Sequence, residues 1–169
     1  MKRFVAILLI AAGLFLVMGA GGYALYSRAL SRPGSAPLTD QLAGLSLVQQ
    51  TQGSQAVGEI NRLHGKEFPL TSAAVGLYGT QGSATLWVSG VPAGFMAERI
   101  LSAMRERIAE NRSPFTPTGE RQDGKRIIYE LDGMGQKHFY FQSENLVIWL
   151  AVEPSLAEPV LEQALEFYP

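Results

Sequence analysis

The sequence predicts an α+β protein: an N-terminal transmembrane helix followed by a two-layer sandwich, an antiparallel sheet with its helices on one face, built from a pseudo-repeated ββα unit. Three observations predict it. Phe4 to Ser27 carries no charged residue. Beyond it, short alternating apolar segments are separated by Gly-rich turns, the pattern of antiparallel hairpins. Shifting the chain by 62 residues lays Tyr78 on Tyr140, Trp87 on Trp149 and Pro92 on Pro154.

The apolar run comes first. Its 24 residues would span about 36 Å as a helix, enough for a hydrocarbon core of roughly 30 Å. Met1-Lys2-Arg3 before it and the small residues Gly19 to Ala24 within it also fit a secretory signal. Its length, and the interfacial Tyr23 and Tyr26, favour an uncleaved anchor over residues 1–28. Lys2 and Arg3 on one side are balanced by Arg28 and Arg32 on the other. The short basic start places the following domain outside the cytoplasm, as a single-pass protein of the cell membrane. Residues 29–37, rich in Ser, Pro and Gly, read as a flexible tether to a domain over 38–169.

Within that domain Leu38 to Gln50 reads as an extended lead-in. Ala56, Val57, Ile60 and Leu63 recur at helical spacing over Ser54–His64, and Gly65 stands where a C-terminal glycine is common. Ala73–Tyr78 and Ala84–Ser89 flank Gly79-Thr80-Gln81-Gly82 as a hairpin. Met96, Ile100, Met104 and Ile108 form the stripe of a helix over Phe95–Glu110. A strand near Thr116–Gln122, the dipeptide Asp123-Gly124 and a strand over Lys125–Asp132 follow. Lys137–Gln142 and Leu146–Val152 make another hairpin, and Ser155 with Glu158 forms a capping box for a last helix ending at Phe167. A lone strand-strand-helix unit cannot bury its sheet face, so the two copies are expected side by side under two helices.

Composition excludes several function classes. From residue 36 onward there are ten Lys/Arg and fifteen Asp/Glu, a formal charge of −5, so nucleic acid is not an expected partner. The chain has no cysteine, which removes disulfides, thiol catalysis and Cys-ligated zinc. Nucleophile-elbow, phosphate-loop, dinucleotide and His-Glu-x-x-His patterns are missing from the sequence, and no cofactor is expected.

Four residues stand out as ligand- or partner-binding candidates: Trp87, Trp149, His138 and Tyr140. Trp87 and Trp149 lie opposite the more apolar face of their strands, and Tyr140 shares a face with His138, so together they predict an aromatic floor on a free side of the sheet. The alternative is that the Ser54–His64 helix or the lead-in covers them. His64 and His138 are the two histidines and the candidate metal ligands, a zinc or haem-type site requiring them to converge with Glu67 or Asp132. Their plain reading is a helix-end residue and a satisfied or solvated strand residue. Glu158, Glu162 and Glu166 make an acidic helix stripe, and Arg121, Lys125 and Arg126 a basic hairpin suited to edge protection.

The function expected is that of a membrane-anchored binding domain, partnered by another envelope protein or by a second copy of itself. The alternatives are a small-ligand, metal or haem sensor using His138, Tyr140 and the tryptophans, and thirdly an enzyme.

Overall fold

The computed structural model describes residues 2–65, 67–110 and 113–169; Met1, at the start of the expected anchor, lies outside them. An apolar helix, α1 (Lys2–Ser31), opens the chain. Its stretch from Ile7 to Ser31 is the one described helix long and apolar enough to cross a membrane, and none of it is buried by the protein. The remainder is an α+β body, as expected. Its strands are β1 (Gly34–Ser35), β2 (Gln41–Leu42), β3 (Leu45–Gln52), β4 (Ser72–Tyr78), β5 (Ala84–Gly90), β6 (Thr116–Asp123), β7 (Arg126–Gly133), β8 (Gln136–Ser143) and β9 (Leu146–Val152). Its helices are α2 (Gly53–His64), α3 (Gly94–Ala109) and α4 (Ala157–Phe167). The sheet order is β2-β3-β4-β5-β9-β8-β7-β6, antiparallel throughout, with β1 added parallel to the start of β4.

The helices do not share one face. Leu86, Val88, Phe139, Phe141, Ile148 and Leu150 pack with Val160 and Leu161 of α4. On the opposite side Val75, Leu131, Tyr140 and Val147 pack with Ala56 and Ile60 of α2 and Ala97 and Leu101 of α3. The body therefore has three layers. The physical reason is visible in β9: Leu146-Val147-Ile148-Trp149-Leu150-Ala151-Val152 is apolar at every position, the signature of a strand covered on both sides.

The 62-residue overlay meets the same difficulty. Trp87 and Trp149 are cross-strand partners in neighbouring β5 and β9. Tyr78 and Tyr140, which the overlay equates, face opposite sides of the sheet. The β4–β5 hairpin turns through five residues between Tyr78 and Ala84, the β8–β9 hairpin through two between Ser143 and Leu146. That odd difference in length flips the partner strand, because side chains alternate with a period of two.

Two local expectations also change. The tether is short and structured: Gly34 and Ser35 pair with Ser72 and Ala73, and Ala36 is buried, so residues 32 and 33 alone separate α1 from the sheet. The Ser155/Glu158 capping box does not form. Pro154 opens a 3-10 turn through Leu156, α4 has no side-chain cap, and Glu158 bonds Arg121 through both oxygens at 2.8 and 2.9 Å. A charge-assisted bidentate pair outcompetes a neutral amide for that carboxylate.

The basic hairpin does more than guard an edge. Arg121 joins Glu130 of β7 at 2.9 Å as well as Glu158 of α4. Arg126 bonds Asp123, reaches the Leu165 carbonyl of α4 at 2.8 Å and donates to the Tyr168 carbonyl. α4 has no glycine cap, so Arg126 supplies the donors its last carbonyls need. The lead-in closes the same layer, with Leu42 buried, Tyr78 Oη donating to Thr39 O at 2.9 Å and Tyr168 Oη to Pro37 O at 2.6 Å.

Candidate aromatic site beneath the third helix

One register row crosses the middle of the sheet. Antiparallel pairing sets Glu120 beside Tyr129, Tyr129 beside Tyr140, Tyr140 beside Trp149, Trp149 beside Trp87, and Trp87 beside Val75. Directly opposed residues project to the same side, here the side of α2 and α3. The row thus carries four consecutive aromatic rings. Tyr129 and Tyr140 stack with centroids 4.7 Å apart and planes 17° from parallel; Tyr140 and Trp149 stack at 5.3 Å and 12°. Arg105 of α3 lays its guanidinium over the outermost ring, 5.9 Å from the Tyr129 centroid. Each stacked pair adds about 0.5–1.5 kcal/mol beyond simple burial.

All four candidate binding residues lie on this one face, but they are not a free floor. Tyr140 is fully buried, and burial pushes its phenol up to about 12. Trp87 and Trp149 are half-buried against the α2/α3 core. The covered arrangement holds because α2 and α3 occupy the face that the two-layer expectation left empty.

His138 is closed in more tightly, at 4% exposure. The Trp149 indole donates to its Nδ1 at 3.1 Å, and its Nε2 donates to the Gly133 carbonyl at 3.0 Å. Only the neutral ring protonated on Nε2 satisfies both bonds. Phe115, in the segment before β6, lies 4.6 Å from the His138 ring and 5.0 Å from Trp149. Desolvation holds the imidazole below its ordinary pKa, against weaker upward pulls from the Gly133 carbonyl and Asp132. A metal at either nitrogen would have to displace an existing bond.

His64 ends α2, as expected, with Gly65 next to it in the left-handed conformation at φ 63°. Its Nδ1 donates to Ile60 O at 2.8 Å, and Phe68 meets its ring edge-on at 5.2 Å. The two histidines thus occupy separate settings. Among the described residues no three His, Cys, Asp or Glu side chains are grouped to hold a metal ion.

The accessible part of the row is its outer end. A cavity of about 410 Å³ between α3 and the β6–β7 hairpin is lined by Arg105, Ile108, Pro117, Glu120, Tyr129 and Tyr140. A shallower cleft of about 850 Å³ continues past Arg105 and Tyr129 toward Glu98, Ser102 and Lys125. Together they form one groove along α3, with an aromatic floor, the cations Arg105, Lys125 and Arg126, and the exposed Glu120 carboxylate at its rim. Arg105, Glu120 and Tyr129 were not among the sequence candidates. Tyr129 alternates with Ile127 and Leu131 and so reads as core, while Arg105 sits on the wet side of its helix pattern. Nothing in the sequence marks Phe115.

Comparison with protein-family models, with curated proteins and with solved structures returned no match. The site's own chemistry therefore carries the functional argument. It offers flat π surface with guanidinium, ammonium and carboxylate groups in a groove, chemistry suited to binding.

Proposed function

We propose that this chain is a membrane-anchored interaction domain, held outside the cytoplasm, which engages an envelope protein or a second copy of itself through the groove along α3. The observation that carries the reading is the open outer end of the aromatic row, where Arg105 and Tyr129 stand between two joined cavities. Tyr and Arg are the residue types that concentrate binding energy at protein contacts. The basic start of the chain and the length of α1 support the anchored, outward orientation.

The test places a photo-crosslinking residue at exposed Glu120 in the groove rim, and separately at exposed Gln49 on the far strand β3, in the full chain in its native membrane. The reading expects a discrete adduct from position 120 that is lost with Arg105→Glu, and none from position 49. The adduct's mass separates a self-contact from another protein. Equal labelling at both positions, or none at 120, overturns the reading.

A small-ligand sensor is the second reading, favoured by one observation. Trp87 Nε1 is buried without a hydrogen-bond partner among the described residues. A ligand carbonyl placed there would satisfy the orphaned donor. The metal and haem forms of that reading gain no support, since both nitrogens of His138 are engaged.

A further inference from the structure

We infer that the end of the domain nearest α1 rests on the lipid surface, with Phe95, Ile127 and Phe167 inserted at the headgroup level. The inference rests on the reading of α1 as an uncleaved membrane span. The apolar run ends at Ser27 and β1 begins at Gly34. Four helical residues and two extended ones reach at most roughly 17 Å. Headgroups occupy about 5–7 Å of that on each side of a bilayer. The corner of the sheet at Gly34 therefore stands no more than about 12 Å beyond the headgroups.

Register shows what else lies at that end. Gly34 pairs with Ser72, Ser72 with Gly90, Gly90 with Leu146, Leu146 with Ser143, and Asp123 with Arg126 in the hairpin beyond. α3 starts there, its Gly94 carbonyl accepting from Gln142 at 3.0 Å, and α4 ends there, its Leu165 carbonyl held by Arg126. One whole end of the body thus shares the level of Gly34, from β4 to β7 about 19 Å away at the usual strand spacing.

Three of the six exposed large hydrophobics among the described residues outside α1 lie at this end, the others being Val48, Leu63 and Met134. Phe95 at the start of α3 is 63% exposed, Ile127 at the start of β7 44%, and Phe167 at the end of α4 40%. They surround the end on both sides of the sheet, so all three reach a bilayer only when the domain sits flat on it. Charge does not decide the contact. Arg28, Arg32 and Lys125 on this end are offset by Glu98, Glu144 and Glu166. The occupant that fits is an uncharged or mixed lipid surface, wetted by apolar side chains beside the point where the anchor enters.

The protein has no cysteine, so single cysteines can be placed at Phe95, Ile127 or Phe167 in the full chain, each leaving the other two residues intact. Met134, 79% exposed in the β7–β8 turn at the opposite end, is the control, and Phe15 in α1 reports the span. Each variant carries an environment-sensitive dye in phosphatidylcholine nanodiscs containing lipids spin-labelled near the headgroup or deep in the chain. The inference expects blue-shifted emission and headgroup-level quenching at 95, 127 and 167, deep quenching at 15, and neither at 134. Deep quenching at 15 with the other three as wet as 134 overturns the seating alone. No quenching at 15 overturns the anchor reading and the seating with it.

Discussion

Trp149 and His138 share a hydrogen bond of 3.1 Å in which the indole donates to Nδ1, while Trp87, the neighbour of Trp149 across the β5–β9 pair, has a buried indole nitrogen with no acceptor among the described residues. Two tryptophans side by side thus differ in one hydrogen bond, and Trp149 also stacks on Tyr140 and meets Phe115. Trp149→Phe and Trp87→Phe remove the same ring area, but only the first strips a donor from a buried imidazole. Trp149→Phe is expected to cost about 1–3 kcal/mol more than Trp87→Phe in urea unfolding. Equal losses would mean that the His138 bond contributes nothing.

Burial holds His138 below its ordinary value of 6.5. The unfolded chain takes up a proton near 6.5 that the folded protein resists, so the unfolded state binds more protons below that pH. This contribution to stability is complete above 6.5 and is lost as the pH falls through it. Thermal unfolding is expected at a lower Tm at about pH 5.5 than at about pH 7.5. His138→Gln can donate to Gly133 and accept from Trp149 without titrating. It is expected to flatten that part of the profile, and an unchanged slope would rule His138 out as its source.

Gly133 lies where a side chain does not fit. A Cβ there would stand 2.5 Å from Phe115 Cδ1 and 3.0 Å from the Pro114 carbonyl. Gly133→Ala must push Phe115 off His138 and Trp149, at about 1–3 kcal/mol for a displaced core ring. The readouts are a His138 pKa that climbs toward 6.5 by NMR titration and stronger acrylamide quenching of tryptophan. A destabilised variant with both unchanged would show that Phe115 does not shield the pair.

Arg126, with its side chain 17% exposed, is the more buried of the two arginines that tie the β6–β7 hairpin to α4. Arg126→Ala leaves the Leu165 and Tyr168 carbonyls without their donor and is expected to cost about 2–3 kcal/mol. Arg126→Lys recovers only part of this, because an ammonium lacks the planar fork that reaches Asp123 and two carbonyls together. Hydrogen exchange should quicken in the last turn of α4 while β5 and β9 keep their protection. Uniform acceleration would assign Arg126 to the global core instead.

Period and turn chemistry made most elements legible. Phe139 and Phe141 alternate inward with His138 and Tyr140 on the other side, and Leu146–Val152 emerges with the boundaries its hydrophobicity suggests. What escaped was the face each helix covers. That choice depends on how a connection leaves its strand, and α3 and α4 follow similar Pro-containing links to opposite sides. The unbroken apolar run of β9 held the clue to a two-sided burial, yet reading Trp149 as surface floor required a bare face. The groove was hidden for another reason: it brings Arg105, Glu120 and Tyr129 together across three elements, and no local spacing encodes such a meeting. His138 was readable as a satisfied strand residue, whereas its donor, Trp149, became apparent only once β8 and β9 were in register.

The junction at Gly34 and Ser35 has a mechanical consequence. Two residues separate α1 from a strand already bonded into the sheet, so a pull on the helix meets almost no slack. Tension passes straight into β4, and the seam that carries it is two residues long. Under load the first event would be peeling of that short parallel seam, which would free Ala36 from beneath the sheet before the larger β4–β5 and β5–β9 pairings gave way.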